Sequence, residues 1–196
     1  FPWFGGTIGA YDSQMSIAGG QALMRALHGR LSGLCQPAYV LDIAALQANL
    51  KTADRIRREA GCRILLATKA WAMPAAFPMM RDHLDGTTAS GEYEARMGHE
   101  EFGKEVHVYA PAYGPGEVER VLKLADHIYF NSPAQIAAYL PMVKKAGKKA
   151  GIRINPGYSN ATLGGALYDP CAPGSRFGTT MAARMPGEAA VKNASV

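Results

Sequence analysis

The chain has little cysteine, no long apolar run and no large excess of charge of either sign. Its three cysteines, Cys35, Cys62 and Cys171, are odd in number and far apart. They form neither a disulfide framework nor a metal-ligand pattern, which excludes a cystine-stapled scaffold and points to a reducing, cytoplasmic compartment. No apolar stretch is long enough to span a bilayer, so no membrane partner is expected. The opening "FPWFGGTIGAYDSQ" lacks the charged start and apolar centre of a signal peptide. It begins at Phe1 and not at methionine, so the sequence reads as starting inside a longer frame. Twenty-one basic against 16 acidic residues leave a net charge of +5. The densest basic segment, Lys144-Lys145 and Lys148-Lys149, suits the last turn of a helix, where the dipole favours cations. Without a concentrated basic face and aromatic platforms, no nucleic-acid partner is expected. His83, His99, His107 and His127 show no pair at metal-ligand spacing, so they read as structural and no metal is expected.

What is present is a core-forming composition, 48% hydrophobic and 19% charged over 196 residues, enough for one sizeable domain or two small ones. From residue 37 a strand–helix rhythm runs along the chain. "AYVLD" (Ala38 to Asp42) reads as a strand, and Asp42 caps a helix carrying Ile43, Leu46, Leu50, Ala53 and Ile56 at helical spacing up to Gly61. Strands are expected at Ile64–Thr68, Thr87–Ser90, Val106–Ala110, His127–Phe130 and Ile152–Asn155. Helical stretches separate them at Pro74–Leu84, Gly91–Phe102, Val118–Ala125 and from Ser132 to Gly147. Ser132 caps the last of these, with proline in its first turn. Alternating strands and helices mean parallel strands with crossover helices. The short runs suit strands covered on both faces. Five strands from Ile64 supply part of an eight-stranded α/β barrel, which needs about 250 residues. The rival doubly wound sheet normally carries a glycine fingerprint after its first strand, and "LLATKAWAM" has none. Beyond Ile154 the pattern gives way to a long Gly- and Pro-rich loop. Residues 1–34 also fall outside the rhythm, apart from a short helix at Ala22–Leu31.

Lys69 closes the first barrel strand, "ILLAT". A lysine there reads in two ways: as a solvated strand-end cap, or as an amine at the mouth of a cavity. Active groups of parallel α/β barrels sit at the C-terminal strand ends. A partly desolvated lysine loses its proton and condenses with an aldehyde, and pyridoxal 5'-phosphate (PLP) is the aldehyde cofactor that uses such a lysine.

The segments "PAYVLD", "ILLATKAWAM", "DGTTASGEYEARMG", "EVHVYAPAY", "ADHIYFNS", "IRINPGYS" and "LYDPCAPGSRFG" together resemble the PLP-dependent decarboxylases built on an alanine-racemase-like barrel. Within that group they resemble the carboxynorspermidine (carboxyspermidine) decarboxylases most. "KAWAM", "YDPCAPGSR" and "DGTTAS" favour this branch over the ornithine or diaminopimelate decarboxylases. The resemblance covers about residues 36–180. It implies a partial parallel (β/α)8 barrel of PLP fold type III, truncated and without the C-terminal β-domain. Residues 1–34 are then an unassigned N-terminal extension, 35–180 the front of the PLP-binding barrel, and 181–196 an unassigned tail. The implied function is decarboxylation of carboxynorspermidine or carboxyspermidine in polyamine synthesis, by a protein whose full-length relatives are homodimers. Its partner would be a small-molecule polyamine carboxylate.

By the same resemblance Lys69 matches the lysine that condenses with the cofactor, and Arg176 matches a basic residue close to it. Ser90 and Arg153 join them as cofactor-binding candidates. Ser90 also reads as a helix cap, and Arg176 as a surface loop residue. Arg153 falls inside a strand, where an unpaired charge is expensive; it is expected to face the barrel interior and pair with a carboxylate. Asp85 reads as an Asp-Gly turn residue or as an acid beside the second strand. Glu94 resembles the acid that follows this serine in related decarboxylases, one residue further along than the common spacing. Tyr109, Tyr129 and Phe130 read as core, and Cys171 belongs to the family signature without an assigned chemistry.

The resemblance also implies a histidine stacked on the cofactor, a glycine-rich phosphate cradle, an acid for the pyridine nitrogen, and a cysteine and an acid from a partner subunit. All are expected to lie beyond the stretch present. Three alternatives stay open: a PLP barrel decarboxylase for diaminopimelate, ornithine or arginine, a non-catalytic PLP-binding barrel protein, and an inert truncated chain.

Overall fold

The computed structural model describes residues 39–159 and 169–180. The boundaries drawn at 34 and 181, and the short helix at Ala22–Leu31, lie outside them.

Helix α1 (Ile43–Ala60) starts where the Asp42 carboxylate accepts the Ala45 amide at 3.0 Å, and Gly61 ends it in a left-handed conformation. The residues before it, 39–42, are not a strand as expected; they carry the chain into the cap. Of the anticipated apolar stripe, Leu50 is buried and Leu46 and Ala53 pack against the core, whereas Ile43 and Ile56 stay exposed.

Five parallel strands then follow in sequence and in space: β1 (Leu65–Ala67), β2 (Gly86–Ala89), β3 (Glu105–Tyr109), β4 (His127–Phe130) and β5 (Lys149–Ile152). Helices connect them: a 3₁₀ turn and α2 (Phe77–Arg81), then α3 (Glu92–Met97) running into a π turn at Gly98–Phe102, then α4 (Glu117–Val121) and α5 (Pro133–Lys145). Ser132 caps α5 through the Gln135 amide, as expected. Sequential order with no strand inserted between neighbours is the order of a barrel wall, and a doubly wound sheet would reverse direction at a switch point.

The sheet has two unlike faces, because β3 and β4 alternate cleanly. The registers His107↔His127 and Val108↔Ile128 fix which side chains share a face. Thr87, Ala89, Val106, Val108, Ile128 and Phe130 are buried under the helices. The other face carries Glu105, His107, Tyr109, His127 and Tyr129, all half-buried. The strands were expected to be apolar on both faces; the polar face is instead the one that a barrel turns inward. Tyr109 and Tyr129, read as core, therefore stand on the inner face, while Phe130 is core.

Two aspartates fasten the N-terminal strand ends in the same manner. Asp85 accepts the Ile64 amide at 2.9 Å and Asp126 accepts the Val106 amide at 3.0 Å. Each also donates its own amide back to that residue's carbonyl. The Arg57 guanidinium meets the other oxygen of Asp85 at 2.9 Å, tying α1 to the sheet. Burial works against ionisation of Asp85, but the Ile64 amide and Arg57 outweigh it and hold the carboxyl below the usual range. Asp85 thus does turn and anchor work at the end of the sheet away from Lys69.

Close approach of the π turn to β2 depends on Gly98, where a Cβ would lie 2.2 Å from the Thr87 hydroxyl. The fifth strand departs most from expectation. It ends at Ile152, and β6 (Ile154–Asn155) pairs with β7 (Thr179–Thr180) in a separate two-stranded sheet. Arg153 is the junction: its amide donates to the Phe130 carbonyl, and its carbonyl accepts from the Thr179 amide. The chain changes pairing partner at that residue.

Candidate active site at the C-terminal strand ends

In a parallel sheet every strand delivers its last residue to the same edge. Here that edge receives Lys69 after β1, Ser90 after β2, Tyr109 at the end of β3, Asn131 after β4 and Arg153 after β5. Parallel topology therefore brings Lys69, Ser90 and Arg153 to one edge. β1 and β5 are nevertheless the outermost strands of the five, so Lys69 and Arg153 lie at opposite ends of the row. In a flat sheet that separation is about 19 Å, four strand spacings.

Lys69 lies in a turn two residues beyond β1 and is exposed. The expected partial desolvation is not provided by the described residues, and none of them forms a hydrogen bond or ion pair with its ammonium. The buried residue beside it is Thr68, 4% exposed. The Thr68 hydroxyl lies 3.0 Å from both the Thr88 carbonyl and a Glu94 carboxylate oxygen. That same Glu94 oxygen accepts the Ser90 amide at 2.7 Å. Glu94, in the first turn of α3, thus reaches back past Gly91 in the manner of a capping box and joins the ends of β1 and β2. Its place in the fold is to fix the backbone on either side of Lys69. Ser90 itself is exposed and gives Glu94 its amide, not its hydroxyl.

Arg153 does not pair with a carboxylate among the described residues. Its guanidinium carbon sits 4.8 Å from the Tyr109 ring centroid and 4.7 Å from that of Phe177. The charge is held by two aromatic faces, an arrangement that stabilises a cation through the ring quadrupoles. Arg176 is exposed and contacts the same Phe177 ring at 4.9 Å. The two arginines named from sequence are therefore brought together by a phenylalanine that sequence reasoning passed over. Asn131, read only as part of a helix start, binds the Arg176 carbonyl, the Gly178 amide and the Tyr109 hydroxyl. The rule that selected Lys69, a polar residue closing a barrel strand, also selects Asn131. Cys171 donates its amide to Asp169 within the turn preceding this segment.

At the opposite strand ends, Glu105, His107 and His127 place ligand-type atoms within 4.8 Å of one another, a grouping that linear spacing did not reveal. The two imidazoles are stacked, with centroids 4.0 Å apart and planes 10° apart. Ring nitrogens carry their lone pairs in the ring plane, and nearly parallel planes do not converge on one ion. The pair is a packing unit, with the Tyr129 hydroxyl on His107 Nδ1 at 3.3 Å.

No family model matches the chain. It is 45% identical over 153 residues to a carboxyaminopropylagmatine decarboxylase of Synechocystis sp., covering 78% of this chain and 39% of the relative. It is 39% identical over 150 residues to a carboxynorspermidine/carboxyspermidine decarboxylase of Herminiimonas arsenicoxydans, covering 76% and 40%. Among solved structures, a Campylobacter jejuni carboxynorspermidine decarboxylase complexed with norspermidine is similar at a TM-score of 0.63 and 28% identity, over 75% of this chain and 36% of that one. A D-threonine aldolase from Filomicrobium marinum shares the fold at a TM-score of 0.57 and 19% identity, over 81% and 39%. The chain spans about two fifths of the length of the curated relatives it matches. Over about three quarters of its length the chain is thus similar to the carboxynorspermidine/carboxyspermidine decarboxylases, the likeness that the sequence motifs implied.

Proposed function

We propose that these residues are the front of a PLP-dependent carboxy-lyase of polyamine synthesis, with Lys69 as the residue that takes the cofactor aldehyde. The observation that carries this reading is the placement of an exposed lysine, unpaired among the described residues, at the C-terminal edge of a barrel wall, in a chain 34–45% identical to decarboxylases of carboxylated polyamines. The donor set suits the group. Lys69 offers an amine with no competing partner among the described residues, and Arg153 and Arg176 offer cationic donors for its anionic atoms. When bound, PLP supplies an electron sink for the pair left on the α-carbon as carbon dioxide departs. The protein's own share is positional. Thr68 and Glu94 fix the backbone that carries Lys69, and Ser90 presents its hydroxyl at the same edge for cofactor or substrate.

The substrate is an α-amino carboxylate with a cationic polyamine tail, carboxynorspermidine or carboxyspermidine. The Synechocystis relative's name adds carboxyaminopropylagmatine as a third candidate. We place the enzyme in the cytoplasm as a homodimer, with residues 35–180 forming the front of its barrel. Among the described residues, no helix is long and apolar enough to cross a membrane, and Cys62 and Cys171 are free thiols. The test is carbon dioxide release from each of the three substrates, with and without added PLP. Release that needs PLP and vanishes in Lys69→Ala supports the proposal. PLP binding without release from any substrate contradicts the carboxy-lyase reading and favours a non-catalytic PLP-binding barrel.

A further inference from the structure

Asn131 has nearly exhausted its hydrogen-bonding capacity on three segments distant in sequence. Its Oδ1 accepts from the Tyr109 hydroxyl at 2.7 Å and from the Gly178 amide at 2.6 Å, and its Nδ2 donates to the Arg176 carbonyl at 2.9 Å. This pattern fixes the amide orientation, since a flipped group would set an NH₂ against an N–H donor. Its own backbone amide is bound in turn by the Gln135 side chain at 2.6 Å.

The carbonyl of Arg176 and the amide of Gly178 flank Phe177, so the two bonds to Asn131 hold that phenylalanine from both sides. Gly178 is pinned from beneath as well. Its φ is +80°, and a Cβ there would meet the Asn155 amide nitrogen at 2.9 Å. The Arg153 guanidinium carbon lies over the held Phe177 ring at 4.7 Å, and over the ring of Tyr109, the third partner of Asn131, at 4.8 Å. Neither ring takes a conventional hydrogen bond from the guanidinium, so its planar fork of five N–H donors remains suited to a carboxylate or phosphate. Among the described residues no carboxylate takes those donors.

We propose that Asn131 is a positioning residue: it locks Phe177 and Tyr109 around Arg153 so that the guanidinium edge is preset for an anionic group of the cofactor or substrate. The inference rests on the reading of this strand-end edge as the cofactor site, but the clamp is tested without any cofactor.

A guanidinium lying over two ring faces has its resonances shifted upfield by their ring currents. In the isotope-labelled, cofactor-free 196-residue chain, the Arg153 side-chain signals stand upfield of those of exposed arginines such as Arg58. Asn131→Ala returns them toward the exposed position. Asn131→Asp keeps both accepting bonds but sets a carboxylate oxygen against the Arg176 carbonyl, so it retains only part of the shift. Should Asn131→Ala not fold, Phe177→Leu leaves the amide network in place and reduces the shift by about half, as expected from two comparable stacking distances. Asn131→Ala also weakens PLP binding by at least about tenfold, the scale of one misaligned charge-assisted hydrogen bond. An Arg153 signal unchanged by Asn131→Ala, or by Phe177→Leu, overturns the clamp whether or not PLP binds. A signal that moves as described in a chain that takes up no PLP supports the clamp and contradicts the proposed function.

Discussion

His107 and His127 lie ring on ring, one register step across β3 and β4, with their centroids 4.0 Å apart. Such a pair is comfortable only when at least one ring is neutral. Burial lowers the pKa of His127, the neighbouring His107 lowers it further, and the Glu105 carboxylate opposes both without prevailing. A histidine held neutral in the folded state contributes stability that is fully present above its unfolded value, about pH 6.5. That contribution is lost as the pH falls from there toward the depressed folded value, because the unfolded chain then binds the extra proton. Thermal melts from pH 7.5 to 5.5 are expected to show falling stability. His127→Phe, which keeps a flat ring on His107, flattens the slope; an equally steep slope in that variant rules the stack out as its source.

Asp85 is expected to matter for folding and not for cofactor uptake. Asp85→Ala leaves the Ile64 amide without its 2.9 Å partner, a loss of about 1–2 kcal/mol for that bond alone. Urea unfolding measures it. Lys69 lies at the other end of β1, so PLP affinity in the folded variant stays close to that of the wild type.

Thr68 joins the end of β1 to both Thr88 and Glu94. Thr68→Val keeps the shape and removes the hydroxyl, with an expected loss of about 1 kcal/mol. Glu94→Gln retains an oxygen for the Ser90 amide and is milder than Glu94→Ala. If all three variants match the wild type in denaturant midpoint, the Glu94 bridge contributes nothing to the backbone around Lys69.

Gly178→Ala forces a side chain into a positive-φ position already crowded by the Asn155 amide nitrogen and the Arg153 carbonyl. About 1–3 kcal/mol of strain is expected, expressed locally as loss of the β6–β7 pairing. Faster hydrogen exchange at Thr179 and unchanged exchange in β3 is the predicted pattern.

Much of this architecture was legible in the sequence because its signals are local. Asp42 before a helical stripe, Ser132-Pro133 at a helix start and four of the five wall strands follow from capping chemistry and periodicity. The fifth strand was misplaced because Ile152 to Asn155 look like one extended run, while the exchange of partners at Arg153 depends on Thr179, 26 residues further on. The "AYVLD" strand failed for a related reason: an extended, apolar segment becomes a strand only if a neighbour is there to pair with it. Lys69 stood out in the sequence by its position at the end of a wall strand, and the structure places it just beyond β1. Asn131 escaped because its partners, at 109, 176 and 178, meet only in three dimensions. Arg153 was expected inside a strand with a carboxylate partner; among the described residues this half-buried cation lies at the strand's end, held by aromatic faces instead.

The central claim is that Lys69 takes the cofactor aldehyde. Incubating the chain with PLP, reducing with borohydride and mapping the adduct by peptide mass spectrometry tests it directly, with Lys69→Ala as control and Lys144 and Lys148 as internal comparisons. The account predicts an adduct concentrated on Lys69 and abolished by the substitution. Labelling spread evenly over Lys144, Lys148 and the other exposed lysines would contradict it.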